Sequence, residues 1–340
     1  MYDLSFEGLT ELLQELNQPA FRAKQIWQGI YHNLWSDFED FSNLPLSLRE
    51  ELSGQFTIGG LILEEKLSST DGQTQKYLYR LDDGSAIETV LMAYHDRNTV
   101  CISSQVGCAM GCKFCATGNM GFLRNLTSGE IVEQVIKSAA ILLAEEKKLT
   151  NVVFMGMGEP FHNYQAVHES TAVLNDPDGF GMGKRRFTIS TVGVVPGIKK
   201  ITEERSQVNL AISLHAADDQ LRSKLIPINA KYNIATLMAA CDEYLETTSR
   251  RITIEWALID GVNDKVDQAR KLVDLIKGKL FHVNLIQLNP VEHYKGRPGL
   301  DSNARIFQKI VEAAGIPCSI RLRRGIDIQA GCGQLASKTN

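Results

Sequence analysis

Val100-Cys101-Ile102-Ser103-Ser104-Gln105-Val106-Gly107-Cys108-Ala109-Met110-Gly111-Cys112-Lys113-Phe114-Cys115 begins as a strand and ends as a loop crowded with thiols. Three cysteines on one glycine-bearing loop can supply three thiolates to an iron–sulfur cluster. A fourth iron then stays open to bind a substrate. The spacing differs from both common ferredoxin runs, each of which carries a fourth cysteine. The competing reading is a structural zinc site, which needs four ligands and so a distant Cys or His to close it.

Downstream of this loop the pattern alternates. Apolar, β-branched runs predict strands at 100–105, 152–155, 187–192, 208–214, 252–258 and 282–288, each followed by a helical run. The clearest helix, 130–147, is opened by Thr127-Ser128-Gly129-Glu130, a capping box at the required spacing. Such an α/β alternation implies parallel strands joined by right-handed crossovers. Six units fall short of the eight that close a barrel, so a partial (βα)6 barrel is expected over residues 98–340.

Upstream, residues 1–58 read as three short helices. Leu9, Leu12 and Leu13 mark the first, Phe21, Ile26, Trp27, Ile30 and Tyr31 the second, and Leu48 and Leu52 the third. They suit a small accessory domain. Residues 59–97 change to a strand pattern with a hairpin signal at Asp82-Asp83-Gly84 and read as a short β linker. Glu88 lies within its last strand, between Ile87 and Val90, either on a wet face or as a working group.

The chain has 340 residues, 44% hydrophobic and 22% charged, in the ordinary range for a globular fold with a proper core. The amino terminus carries no basic stretch leading into an apolar run, and the longest helix-like apolar run is far too short to span a bilayer. A cytoplasmic protein with no membrane partner is expected. There a set of seven cysteines does not read as a disulfide framework. Cys241 falls on an apolar helical stripe with Ile234, Leu237, Met238 and Leu245. Cys318 alternates with Ile316, Ile320 and Leu322, and both read as core residues. Cys101, Cys108, Cys112, Cys115 and Cys332 remain for chemistry.

A net charge of −4 does not advertise a nucleic-acid binder, so phosphate recognition would need local positive clusters. Candidates are Lys184-Arg185-Arg186, Lys199-Lys200, Arg250-Arg251, and Arg321 with Arg323-Arg324. The polar and cysteine motifs gather where the expected strands end, which is where α/β barrels build active sites.

Taken together, Cys101 through Gly118, Phe154-Met-Gly-Met-Gly-Glu-Pro160, Ser190-Thr-Val-Gly193, Ser213-Leu-His215 and Gly331-Cys332-Gly333-Gln-Leu335 resemble the RlmN/Cfr family of radical SAM RNA adenine methyltransferases. The resemblance runs from about Glu7 to Leu335. It implies a radical SAM barrel and a [4Fe-4S] cluster held by Cys108, Cys112 and Cys115. It also implies S-adenosylmethionine (SAM), two molecules per turnover, contacted by Gly158, Glu159, Ser190, Ser213, Leu214, His215 and Asn289. Cys332 matches the methyl carrier, Cys101 the resolving cysteine that forms a transient disulfide with it, and Glu88 the base. The helical domain matches an RNA-binding appendage. The implied target is carbon 2 of an adenosine in 23S rRNA near the peptidyl-transferase centre, with a tRNA adenosine as second substrate. Carbon 8 of the same base is the alternative, and a zinc-stabilised, non-catalytic RNA-binding module is the alternative of another class. An external electron donor such as flavodoxin and a monomeric state are implied as well. One departure stands out: relatives usually show Asp-Ala-Ala before the carrier cysteine, where this chain has Gln329-Ala330-Gly331.

Overall fold

The computed structural model describes residues 1–321 and 323–336. Three helices open the chain: α1 (Phe6–Glu15), α2 (Phe21–Tyr31) and α3 (Leu46–Gln55). Ser5 caps α1 by accepting from the Gly8 N–H at 3.0 Å. The α2 stripe buries Ile26, Trp27, Ile30 and Tyr31, with the Trp27 and Tyr31 rings 4.4 Å apart. Gly179 lets a later loop approach this stripe closely, because a Cβ there would lie 2.8 Å from Trp27 Nε1.

Strands β1 (Ile62–Ser68), β2 (Thr74–Arg80) and β3 (Ala86–Ala93) form an antiparallel meander, and β3 pairs antiparallel with β4 (Asn98–Cys101). The segment expected as a linker is therefore the antiparallel wing of the main sheet. Both faces of β3 are covered. Thr89 donates to Gln134 on one face at 2.9 Å, while Glu88, Val90 and Cys101 share the other through the strand register.

Past β4 come β5 (Gln105–Gly107), α4 (Ala116–Met120), β6 (Phe122–Asn125) and α5 (Ser128–Ala144). The alternation then runs β7 (Asn151–Phe154), α6 (Tyr164–Asn175), β8 (Phe187–Thr191), α7 (Val195–Glu203) and β9 (Asn209–Ser213). It finishes with α8 (Asp219–Leu225), α9 (Ile234–Thr248), β10 (Ile252–Leu258), α10 (Val266–Ile276), β11 (Phe281–Gln287), α11 (Asp301–Ala313) and β12 (Cys318–Arg321).

The ten-stranded sheet has the order β1-β2-β3-β4-β7-β8-β9-β10-β11-β12, and every pair from β4 onward is parallel. The order is linear, so the partial barrel stays open. Two expectations need correction. The strand expected over 100–105 leaves the sheet after Cys101, because its next backbone donors are taken elsewhere: Ser103 N–H by Gln134 Oε1 at 2.8 Å and Ser104 N–H by the Met157 carbonyl at 2.8 Å. Residues 105–107 pair instead with β6 in a separate hairpin. The parallel array also gains a seventh strand, β12, which carries Cys318; Leu322, expected to continue it, lies outside the described residues. Cys241 and Cys318 are both buried, as their apolar neighbours imply.

Candidate active site

A cavity opens at the carboxyl ends of the parallel strands. Cys112, Cys115, Gly158, Glu159, Ser190, Ser213, His215, Asn289 and Cys332 all line it. Residues from loops far apart in sequence thus meet at one place. A second cavity adjoins it, and Cys101, Arg321, Arg323 and Arg324 line that one. Cys332 and Asn289 line both.

The cysteine loop runs from β5 to α4. Gly107 sits at φ 73°, and a Cβ there would fall 2.0 Å from the Gly121 carbonyl oxygen, so only glycine closes this hairpin. Burial pushes the Cys108 thiol up to about 12, and burial first, then the neighbouring thiols, pushes Cys112 well up. Coordination reverses that tendency, since a metal deprotonates the thiol it binds. Among the described residues, no three His, Cys, Asp or Glu side chains converge to hold a single metal ion. The three thiols lie close enough to raise one another, and three neighbouring thiolates are the donor set of an iron–sulfur cluster in which each binds its own iron.

Glu159 is 2% exposed. Its Oε2 accepts from Val192 N–H at 2.9 Å and its Oε1 from Phe161 N–H at 3.0 Å, while burial pushes its carboxyl up to about 7. Gly158 before it takes φ 101°, and a Cβ would lie 2.6 Å from Gln105 Cβ. Ser190 on β8 and Ser213 at the end of β9 place their hydroxyls 3.2 Å apart. His215 Nδ1 accepts from Ala257 N–H at 2.8 Å, which leaves Nε2 carrying the proton. Burial, and then the Arg222 charge, depress this imidazole to about 3, so it stays neutral. Leu214 does not line the cavity: its side chain is fully buried and its carbonyl accepts from Arg222 Nε at 3.2 Å.

Asn289 binds the loop that bears Cys332, its Nδ2 donating to the Cys332 carbonyl at 3.0 Å. Its Oδ1 is buried without a partner, an acceptor left for a donor that enters the cavity. Together with the Glu159 carboxylate and the paired hydroxyls, this orphaned acceptor fits the ammonium and ribose of SAM. Gly331 explains one departure from the usual motif. A Cβ there would lie 2.5 Å from Asn289 Nδ2, so glycine permits the short Asn289–Cys332 contact.

The Cys332 loop is tied down at several points. Ala116 N–H donates to the Gly333 carbonyl at 2.7 Å, and Thr117 Oγ1 to the Leu335 carbonyl at 2.6 Å, joining the loop to the helix that follows the cysteine motif. Cys332 is exposed, and Arg321 Nη1 lies 3.9 Å from its sulfur. Cys101, at the end of β4, is buried; burial, and then the Cys332 sulfur, raise its thiol to about 12. Glu88 lines neither cavity. Its Oε1 pairs with Lys76 Nζ at 2.7 Å, and its Oε2 accepts from Ala336 N–H at 2.7 Å, just past the Cys332 loop.

Three residues of this region carry no signal in the motifs. Glu255 lines the main cavity from β10 and bonds Asn284 Nδ2 at 2.8 Å, with its carboxyl raised by burial. An acid between Ile254 and Trp256 in an apolar strand is the same kind of signal that marked Glu88. Arg321 reads as one of several basic clusters, yet it faces the two cysteines. Lys76 sits in a strand buried on both faces, so its role becomes legible only through pairing with Glu88. By contrast, Lys184–Arg186 and Arg250-Arg251 precede β8 and β10, at the sheet end opposite the site.

The Radical SAM superfamily model matches residues 102–273, and the model of the ribosomal RNA large subunit methyltransferase N-terminal domain matches residues 1–58. A probable dual-specificity RNA methyltransferase RlmN of Chloroflexus aurantiacus is 47% identical, with 99% of this chain and 93% of that protein covered. The dual-specificity RNA methyltransferase RlmN 1 of Myxococcus xanthus is 45% identical, with 98% and 93% covered. The crystal structure of a radical SAM methyltransferase from Sphaerobacter thermophilus superposes with a TM-score of 0.97 at 46% identity, covering 98% of both chains. These matches displace the non-catalytic zinc module. The cysteine loop, the open parallel sheet and the helical amino-terminal domain are those of a SAM-dependent radical RNA methyltransferase with a [4Fe-4S] cluster, and the chain belongs to the RlmN family.

Proposed function

We propose that this enzyme methylates carbon 2 of an adenosine in 23S rRNA, with a tRNA adenosine as second substrate, by way of a methyl group carried on Cys332. One observation carries the reading: Cys332 lines both cavities, with the cluster cysteines and SAM-type contacts on one side and Cys101 on the other. Relatives named dual-specificity RNA methyltransferases support two RNA substrates. Cys108, Cys112 and Cys115 would hold the cluster, and Glu159, Ser190, Ser213, His215 and Asn289 would hold SAM. When bound, the two together supply a carbon-centred radical, the means of attacking a ring carbon that is not nucleophilic. Each turnover uses two SAM molecules and an external electron donor such as flavodoxin.

The chain's own residues take the remaining parts. Cys332, exposed beside the Arg321 guanidinium, presents its sulfur as the nucleophile that accepts the first methyl. Glu88 accepts the proton from the ring carbon once that carbon is joined to the Cys332 methylene; the C–H electron pair returns to the ring, and the odd electron left by radical addition goes to a one-electron acceptor, which an oxidised iron–sulfur cluster would be. Cys101 then attacks the Cys332 sulfur as a thiolate. The S–S bond forms as the C–S bond breaks, and the carbon that keeps the electron pair takes up a proton to become the methyl group. The disulfide is reduced before the next turnover. Burial keeps Cys101 protonated before the adduct forms, which protects Cys332 from premature oxidation.

The test is nucleoside mass spectrometry of rRNA and tRNA treated with wild type and with Cys101→Ala. Wild type should give 2-methyladenosine in both RNAs. Cys101→Ala should give RNA joined covalently to Cys332, stable in denaturant and removed by ribonuclease. 8-Methyladenosine would overturn the regiochemistry, and free methylated RNA in good yield from Cys101→Ala would remove Cys101 from the reaction.

A further inference from the structure

The ion pair between Lys76 and Glu88 is the least solvated in the described structure. Nζ and Oε1 are 2.7 Å apart, with the side chains 10% and 6% exposed. A buried carboxylate without a cation is costly, and breaking such a pair leaves an uncompensated charge. The pair lies on the sheet face that also bears Cys101. Lys76 opposes Val90 in the β2–β3 register, one pleat from Glu88, and Val90 opposes Cys101 across β3–β4. The two oxygens of Glu88 have different partners. Oε1 meets Lys76 within the sheet, whereas Oε2 meets the backbone N–H of Ala336 in the carboxy-terminal segment. Lys76 Nζ also reaches the Gln329 carbonyl at 3.4 Å, at the other end of the carrier loop.

We propose that Lys76 is the positioning residue for the base of the release step, holding Glu88 through Oε1 so that Oε2 is free to take the substrate proton once Ala336 moves aside. This rests on the reading of Glu88 as base and Cys332 as carrier. The asymmetry is the argument. The Lys76 contact is made between two neighbouring strands and persists through any movement of the carrier loop. The Ala336 contact belongs to the segment that has to shift for Glu88, which lines neither cavity, to meet a base. The step that Lys76 serves is a proton transfer: the ring C–H bond breaks, the O–H bond forms on Oε2, and the electron pair stays in the ring, while the odd electron of the radical adduct leaves to a one-electron acceptor of the iron–sulfur class. Other titratable or charged groups on the elements around Glu88 are Cys101 on β4, Glu159 beyond β7, and Arg324, Asp327 and Cys332 in the carboxy-terminal segment. Glu159 bonds Val192 and Phe161, Arg324 bonds Gln73 and Ala93, and Asp327 bonds Thr70. Among the described residues, only Lys76 pairs with Glu88.

The experiment compares Lys76→Gln, Lys76→Arg and Glu88→Gln as full-length, cluster-loaded enzymes. Two readouts are taken, the methyl mass on Cys332 before RNA is added and the covalent RNA adduct at pH 7. Lys76→Gln should keep the Cys332 methyl and accumulate adduct at least about tenfold above wild type, since loss of a positioned base slows proton transfer by that much or more. Lys76→Arg, which keeps the cation, should restore release. Glu88→Gln should trap adduct. If Glu88→Gln releases RNA normally, the assignment of the base fails. If Glu88→Gln traps while Lys76→Gln releases at the wild-type rate, or if Lys76→Arg traps as Lys76→Gln does, the proposal for Lys76 is overturned. Loss of the Cys332 methyl or of the cluster in Lys76→Gln also overturns it, by showing that Lys76 supports the loop rather than the base.

Discussion

Glu159 makes the main cavity sensitive to pH. Its carboxyl is raised by burial to about 7 although two backbone N–H groups point at it. Burial disfavours the charged form, and the two donors recover only part of the loss. In the ligand-free protein this costs stability as the pH rises from the ordinary carboxyl range, where the unfolded chain ionises, until the folded carboxyl ionises near 7. A bound ammonium reverses the balance by pairing with the carboxylate. Affinity for SAM, measured by equilibrium dialysis with cluster-loaded protein, should therefore rise between pH 6 and 7.5. Glu159→Gln should bind at least about tenfold more weakly, the scale of a lost charged hydrogen bond, and its affinity should not rise over that interval. A rising profile in Glu159→Gln would mean that another group titrates. His215 does not compete for this role, because it stays neutral throughout the range.

At the scale of elements, α5 braces the part of the sheet that carries Cys101. Thr127 Oγ1 accepts from Glu130 N–H at 3.1 Å, and Glu130 Oε2 accepts from Thr127 N–H at 2.9 Å, so two free donors of the first turn are satisfied. Glu130 also pairs with Arg124, which in turn pairs with Asp83 in the β2–β3 turn. From the buried face of α5, Gln134 accepts from Ser103 N–H and Thr89 Oγ1 and so turns the chain aside after Cys101. Thr127→Ala should lower the unfolding free energy by about 1 kcal/mol, measured by urea denaturation of the reduced protein. Serine at this position should recover most of the loss. A change below about 0.3 kcal/mol would mean that the Arg124 pair alone fixes this helix end.

At the scale of the whole molecule, the open sheet leaves β1 as an edge. Its strand runs Ile62-Leu63-Glu64-Glu65-Lys66-Leu67-Ser68 and is largely exposed. The charged run Glu64-Glu65-Lys66 and an irregularity in the pairing between Leu63 and Glu65 discourage a second chain from adding to it. The opposite end, β12, runs into the segment that delivers Cys332, so that edge serves the site. Multi-angle light scattering of the cluster-loaded enzyme should give the mass of one chain. A dimer that dissociates when Leu63 is replaced by Lys would show that the edge does pair.

What the sequence determined by itself is local. The cysteine spacing, the capping box before α5, the helical stripes of the first domain and the strand–helix alternation follow from neighbours within a turn or a pleat, so they are legible in the chain. The polar motifs at strand ends likewise marked Glu159, Ser190, Ser213, His215 and Asn289, all of which meet in one cavity. Other features depend on partners distant in sequence. The strand at Cys101 stops early because Gln134 and Met157 take its backbone groups. The β wing joins the main sheet only through the β3–β4 register, and that register brings Glu88 to the face of Cys101. Lys76 and Arg321 acquire meaning only from the side chains beside them, Glu88 in one case and the Cys332 sulfur in the other. Periodicity shows which face of an element is apolar; it does not show which charged group will be buried against which. That choice is made when the sheet closes over it, because a buried charge is tolerated only where the fold has already placed its partner.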